Sequence, residues 1–205
     1  LASAAAISLF YRARAASGGA RVSWIALDAI VAGCGIWATH FIAMQAYGPG
    51  AGGAYNIPVT VLSLIFAIAV TFVGLSISVS ATRTIPVALG GAVVGGGVAA
   101  MHYTGMMALE IPARIGWETA TVTVSIILGV IFGSLALVVA GRRDSLANAL
   151  GATVLLTVAI VSHHFTAMGA VELTPDPTLA IGGLSIPPAS LSLLTASAAV
   201  AIIAI

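Results

Sequence analysis

Three short stretches of the chain set an imidazole and a thioether at one spacing: His40-Phe41-Ile42-Ala43-Met44, His102-Tyr103-Thr104-Gly105-Met106 and His164-Phe165-Thr166-Ala167-Met168. The histidines are 62 residues apart twice, from 40 to 102 and from 102 to 164. The chain has four histidines and five methionines, and these stretches hold three of each. On a helix, residues four apart lie one above the other, so each pair offers a ring nitrogen and a sulfur to one point. Three such pairs brought together make a centre rich in nitrogen and sulfur, with no carboxylate at its middle. Thioether sulfur favours copper(I) and imidazole also accepts copper(II), whereas zinc more often recruits cysteine or carboxylates. Copper would also bind a small gas or change oxidation state. The candidate metal ligands are therefore His40, Met44, His102, Met106, His164 and Met168. The competing reading is apolar methionine packing with each histidine bonded to a carbonyl. Intramembrane histidine is costly, and three in register weigh against it.

The neighbours are weaker candidates. Thr39, Met101 and His163 each precede the main histidine, about 100° around the helix, and address a second site or a different helix. Met107 follows Met106 and is either packing or a ligand. Tyr103 could donate a hydrogen bond to a bound ligand, which Phe41 and Phe165 at the matching positions cannot. Glu110 and Glu172, two turns past their histidines, read as solvated loop charges, or as groups that attract cations or orient a histidine. Asp28 reads as a relay or as the partner of a loop arginine. Trp37 and Cys34 read as packing, and the single cysteine excludes a disulfide framework within the chain.

The elements that position these residues are membrane spans. Hydrophobic residues make up 60% of the 205 residues and charged ones 6%, against about 25% charged in a soluble domain. No Asp, Glu, Lys or Arg occurs in 29–82, 84–109, 119–141, 145–171 or 177–205. Runs of about 20 apolar residues cross a bilayer as helices. Spans are expected at about 22–46, 58–81, 86–109, 119–140, 146–171 and 187–205, with Leu1–Phe10 as the tail of a truncated helix. Pro58, Pro86 and Pro187-Pro188 mark helix starts, where a missing N–H is tolerated.

Arginine fixes the orientation. Arg12, Arg14 and Arg21 fall in the first loop, Arg83 in the third, and Arg142 and Arg143 in the fifth, leaving only Arg114 on the other side. The positive-inside rule places the arginine side in the cytoplasm. Each histidine motif then lies at the outer end of its helix, and the C-terminus is cytoplasmic. Repeats of two spans keep the same topology, so an axis along the membrane normal can relate them. The expected fold is an all-α integral membrane, seven-helix bundle. Its first helix is truncated, and three two-helix repeats (about 22–81, 86–140 and 146–205) are arranged with pseudo-threefold symmetry. Gly91 and Gly95 form a GxxxG pair that lets helices approach closely.

Met101-His102-Tyr103-Thr104 spells the signature of the MHYT domain, a bacterial integral membrane sensor domain, and Thr39-His40-Phe41-Ile42 and His163-His164-Phe165-Thr166 resemble it. Phe41 and Phe165 stand where the signature has tyrosine, and Ile42 where it has threonine, leaving histidine and methionine as the ligands. The resemblance spans nearly the whole chain. It implies a copper site, sensing of oxygen, carbon monoxide or nitric oxide, and location in the bacterial cytoplasmic membrane. It also implies a covalently attached cytoplasmic output module after residue 205, such as a GGDEF or GGDEF–EAL module handling cyclic di-GMP or a histidine kinase, so the domain itself is not expected to be an enzyme. The expected partners are lipid, a diatomic gas, that output module and a second copy in a homodimer, with no role for nucleic acid. The alternatives are a haem-binding electron-transfer protein with His and Met as axial ligands, and a copper-binding or transport protein.

Overall fold

The computed structural model describes residues 1–47, 53–179 and 182–203. Among these residues lie seven helices: α1 (Ala2–Ala15), α2 (Gly18–Tyr47), α3 (Ile57–Ser80), α4 (Thr84–Met107), α5 (Thr119–Arg142), α6 (Leu146–Gly169) and α7 (Pro188–Ile203). Five of them, α2 to α6, are long and apolar enough to cross a membrane. Their ends fall within four residues of the expected spans. Residues 204–205 of the last span lie outside the described residues. In lipid a backbone must satisfy its own polar groups, which a helix does internally. The starts carry side-chain caps: Asn56 accepts from the Val59 N–H, Ser145 from that of Asn148, and Glu118 from those of Ala120 and Thr121.

Three boundaries differ from expectation: Arg21 lies in the first turn of α2 and Arg142 is the last residue of α5, and the start of the chain departs further. Arg12 and Arg14 are not in a loop but in the last turn of α1, where cations suit the negative end of the helix dipole. The helix continues past Phe10 because Ala6, Ile7, Phe10 and Ala13 form one buried stripe along it.

Helices α2, α4 and α6, which carry the histidines, are joined by wedges. Helix α3 packs between α2 and α4, and α5 between α4 and α6. The third wedge, between α6 and α2, is filled by α1, tied to α6 by a 3.0 Å bond from Thr157 to the Ser3 hydroxyl. Helix α7, the sequence counterpart of α3 and α5, rests against α2 and α1. The α4 contacts run backbone to backbone: Gly91 abuts the Gly133 carbonyl, Gly95 that of Gly129, and Gly90 that of Gly74. The expected GxxxG pair thus meets a second one, Gly129 and Gly133, on α5.

At the histidine end, where only loops were expected, short strands form a cap. Strands β1 (Ala54–Asn56), β2 (Leu109–Glu110) and β5 (Ser185–Ile186) make a sheet in the order β2-β1-β5. Strands β3 (Ala113–Trp117) and β4 (Val171–Pro175) form an antiparallel ribbon with Trp117 opposite Val171. The segments that leave adjacent helix ends run side by side, so their backbone groups pair with one another.

Candidate metal centre

The 62-residue register brings the three motif histidines to one point. His40, His102 and His164 are 2%, 1% and 6% exposed, and all three turn Nδ1 inward. The Nδ1 atoms lie 3.1 Å apart for His40 and His102, and 3.3 Å apart for His40 and His164 and for His102 and His164. The rings meet edge to face, at 78° to 84°.

No assignment of protons to neutral rings satisfies this triangle. If one Nδ1 carries the hydrogen, it can serve both neighbours, but those two then face each other lone pair to lone pair. If two carry it, hydrogen meets hydrogen. A cation at the centre satisfies all three lone pairs together. The centre of a triangle with these sides lies about 1.9 Å from each nitrogen, close to the ~2.0–2.1 Å of a metal–imidazole bond. The residues therefore fit a small metal ion, and nitrogens this close leave no space for a macrocycle between them. The Nε2 atoms of His40 and His102 are buried without a hydrogen-bond partner. Leaving them so costs stability, which convergence of the Nδ1 lone pairs on a cation would offset. Gly105 makes the approach possible, since a Cβ there would stand 2.6 Å from His40 Nε2.

The methionines lie one turn further on. Met44 and Met106 are fully buried and Met168 is half-buried. The preceding positions fan outward. Thr39 is exposed and bonds the Gly35 carbonyl, Met101 is buried in the core, and His163 sets Nδ1 2.9 Å from the Ser125 carbonyl on α5. Met107 is 74% exposed and turned away from the bundle. The Tyr103 hydroxyl is 2.8 Å from the Ser125 hydroxyl.

The carboxylates stand elsewhere. Glu110 orients no histidine and is not a free loop charge. It accepts from Asn56, the Gly182 N–H and the Ser185 hydroxyl, binding the capping strands together. The Ser185 bond foremost holds its carboxyl below the ordinary range. Glu172 lies exposed in β4, opposite Gly116. Asp28 does not pair with a loop arginine. It is 1% exposed, and both its oxygens lack a partner among the described residues. Arg12 and Arg14 are held instead over the Trp24 and Phe10 rings.

Sequence reading missed the aromatic lid. Trp117 and Tyr55, which fall between the expected spans, pack over the centre. Trp117 stacks edge-on to Tyr103 at 5.1 Å and lies 6.5 Å from the His102 ring, while Tyr55 sits 5.3 Å from Phe41, itself 4.7 Å from the His40 ring. Burial pushes the Tyr55 phenol up to about 12, so it stays neutral. Ser125, fully buried, was also missed; its signal was a hydroxyl within an apolar span.

A bundle of apolar helices with internally repeated histidines converging under a cap defines a multi-pass membrane protein of repeat construction. The chain belongs to the MHYT family, described as a bacterial signalling protein N terminal repeat, whose model matches residues 33–91 and 95–153. Those two matches contain His40 and His102; the motif at His164 lies beyond them. The chain is 39% identical over 84% of its length to an uncharacterized signaling protein of Caulobacter vibrioides, covering 21% of that relative. It is 33% identical over its full length to the bifunctional diguanylate cyclase/cyclic di-GMP phosphodiesterase MucR of Pseudomonas aeruginosa, covering 31% of it. It is 35% identical over 74% of its length to the cyclic di-GMP phosphodiesterase NbdA of the same organism, covering 20% of it. The chain thus spans between a fifth and a third of these relatives. No solved structure matches it.

Proposed function

We propose that the chain is the membrane sensory domain of a bacterial signalling protein. In this reading it holds copper through His40, His102 and His164, with Met44, Met106 and Met168 as further donors, and answers to a diatomic gas or to redox state. The observation that carries the reading is the triangle of inward Nδ1 atoms, which no protonation of three neutral rings satisfies. Bound copper supplies a centre that changes between copper(I) and copper(II) and takes a small gas as a further ligand. The protein's residues do the rest. The histidines fix the donor geometry, Trp117, Tyr103, Phe41 and Tyr55 keep water out, and Gly105 lets α4 close on the His40 ring.

The arginine end lies in the cytoplasm of the inner membrane by the positive-inside rule, and the C-terminus faces the same side. Helices α2, α4 and α6 run from the centre to that end, so a shift in their packing would reach an attached output. The two Pseudomonas relatives, by their names, act on cyclic di-GMP, and that is the output we assign. Coupling requires two packings that bind the ligand with different affinity.

The test is metal analysis of the purified protein beside a His40→Ala, His102→Ala, His164→Ala variant, with helical content checked by circular dichroism. Stoichiometric copper in the wild type and none in the folded variant is expected, followed by a change in the copper spectrum under carbon monoxide or nitric oxide. Equal copper in both proteins, or none in either, sinks the reading. Single His→Asn variants give the same comparison if the triple variant does not fold.

A further inference from the structure

At the end of the bundle opposite the histidines, a cavity of about 160 Å³ opens between the end of α1, the start of α4 and the end of α5. Arg14, Arg83 and Arg142 line it, together with Thr82, Thr84 and Gly141. Three arginines and no acidic residue line this space. Arg14 comes from the last turn of α1, and its Nη1 is buried without a hydrogen-bond partner. A Cβ on Gly141 would stand 3.2 Å from that nitrogen, so the glycine is what lets the guanidinium lie against α5. The start of α4 contributes as well. Its cap residue, Arg83, gives no side-chain bond to the first turn, and the positive end of the helix dipole is left uncovered there. No acidic side chain pairs with the cluster among the described residues. Asp144 forms no ion pair, and among the described residues the sole one is Arg114 with Asp176, 2.8 Å apart at the other end.

A buried guanidinium nitrogen without an acceptor is costly, and three arginines around one cavity have a common solution in an anion with several oxygens. Arginine binds phosphate with paired N–H donors. The cavity has room for such a group, since a water takes about 30 Å³. It also lies at the start of α4 and the end of α5, and basic pockets between helices at the cytoplasmic side of a membrane bind anionic lipid.

We propose that Arg14, Arg83 and Arg142 form a phosphate-group site at the arginine end, taken by the headgroup of an anionic phospholipid or by a free phosphate. Arg14 is the anchor, because it alone among the three has a buried, unpartnered nitrogen. Arg83 and Arg142 are exposed and close the site from outside. An occupant would bridge α1, α4 and α5, joining the wedge helix to the repeat helices independently of the histidine centre.

The experiment is native mass spectrometry of the detergent-solubilised protein with phosphatidylglycerol and with phosphatidylcholine. It is paired with thermal unfolding in inorganic phosphate against chloride at equal ionic strength. Wild type should retain phosphatidylglycerol over phosphatidylcholine. Arg14→Gln, and separately Arg83→Gln, should each weaken retention about fivefold, while Arg143→Gln, beside the cavity but not lining it, should not. Phosphatidylglycerol that millimolar phosphate does not displace identifies a lipid headgroup as the occupant. Stabilisation by phosphate together with displacement of the lipid identifies a free phosphate. Two results overturn the site: neither probe binding the wild type, or Arg143→Gln weakening retention as much as Arg83→Gln. The exposed Arg83 carries the comparison if Arg14→Gln fails to fold.

Discussion

Helices α4 and α7 are both apolar, yet the bundle holds them in different ways. Along α4, glycines place backbone against backbone on two sides, at Gly74 on α3 and at Gly129 and Gly133 on α5, and Gly105 receives the His40 ring. Helix α7 packs on α2 and α1 through Leu191, Thr195 and Ile202, while Leu193, Leu194 and Val200 are 55% to 72% exposed. In lipid an exposed leucine loses nothing by facing outward, because acyl chains are as apolar as its partners would be. Close approach, and not hydrophobicity, therefore decides which helices hold the centre. Repeat position alone does not: α3, α5 and α7 are equivalent in sequence, but only α3 and α5 sit between histidine helices.

The sharpest way to break this comparison uses two adjacent glycines of α4. A Cβ on Gly95 would drive into the Gly129 carbonyl, whereas one on Gly96 meets nothing within 4 Å. Gly95→Ala should destabilise the protein by about 3 kcal/mol. Gly96→Ala should stabilise it by about 0.5–1 kcal/mol through helix propensity. Reversible unfolding in mixed micelles measures both. Equal effects would mean that the seam does not hold the bundle.

The next effect is local. A Cβ on Gly105 would stand 2.6 Å from His40 Nε2 and 2.9 Å from its Cδ2, so the ring must move and the Nδ1 triangle must open. Gly105→Ala should keep the fold and lower copper affinity roughly 10–100-fold, the range expected when the support of a metal ligand is disturbed. Competition titration with a copper(I) chelator reads this directly. Unchanged affinity would show that the closeness of α4 to α2 is not what sets the centre.

Much of this was legible because it repeats. A histidine and a methionine every 62 residues, on helices that all run the same way, had to reach one depth, and the Gly91 and Gly95 pair marked the close face of α4. The parts that could not be read are those without a repeat counterpart or a period. Nothing in α1 says that it displaces α7 from the third wedge, since its stripe of Ala6, Ile7, Phe10 and Ala13 would suit any apolar groove. Strands of two to five residues are too short for alternation to register, which hid the cap and with it the roles of Glu110, Trp117 and Tyr55. Asp28 looked like half of an ion pair because arginines are near in sequence. The rotation of α2 turns it inward instead, and Trp24, one turn earlier, takes Arg12.

The smallest effect tests the other half of the comparison. Leu193 is 72% exposed on α7, so truncation removes a side chain that faces lipid in the folded state. Leu193→Ala should change stability by no more than about 0.5 kcal/mol and leave copper affinity untouched, because Leu193 lies on the exposed face of α7 and not on the face that meets α2, the helix of His40. The same micelle unfolding and chelator titration apply. A loss as large as that of Gly95→Ala would mean that α7 packs on its Leu193 face against something other than lipid. The third repeat would then be completed by a partner and not by α1.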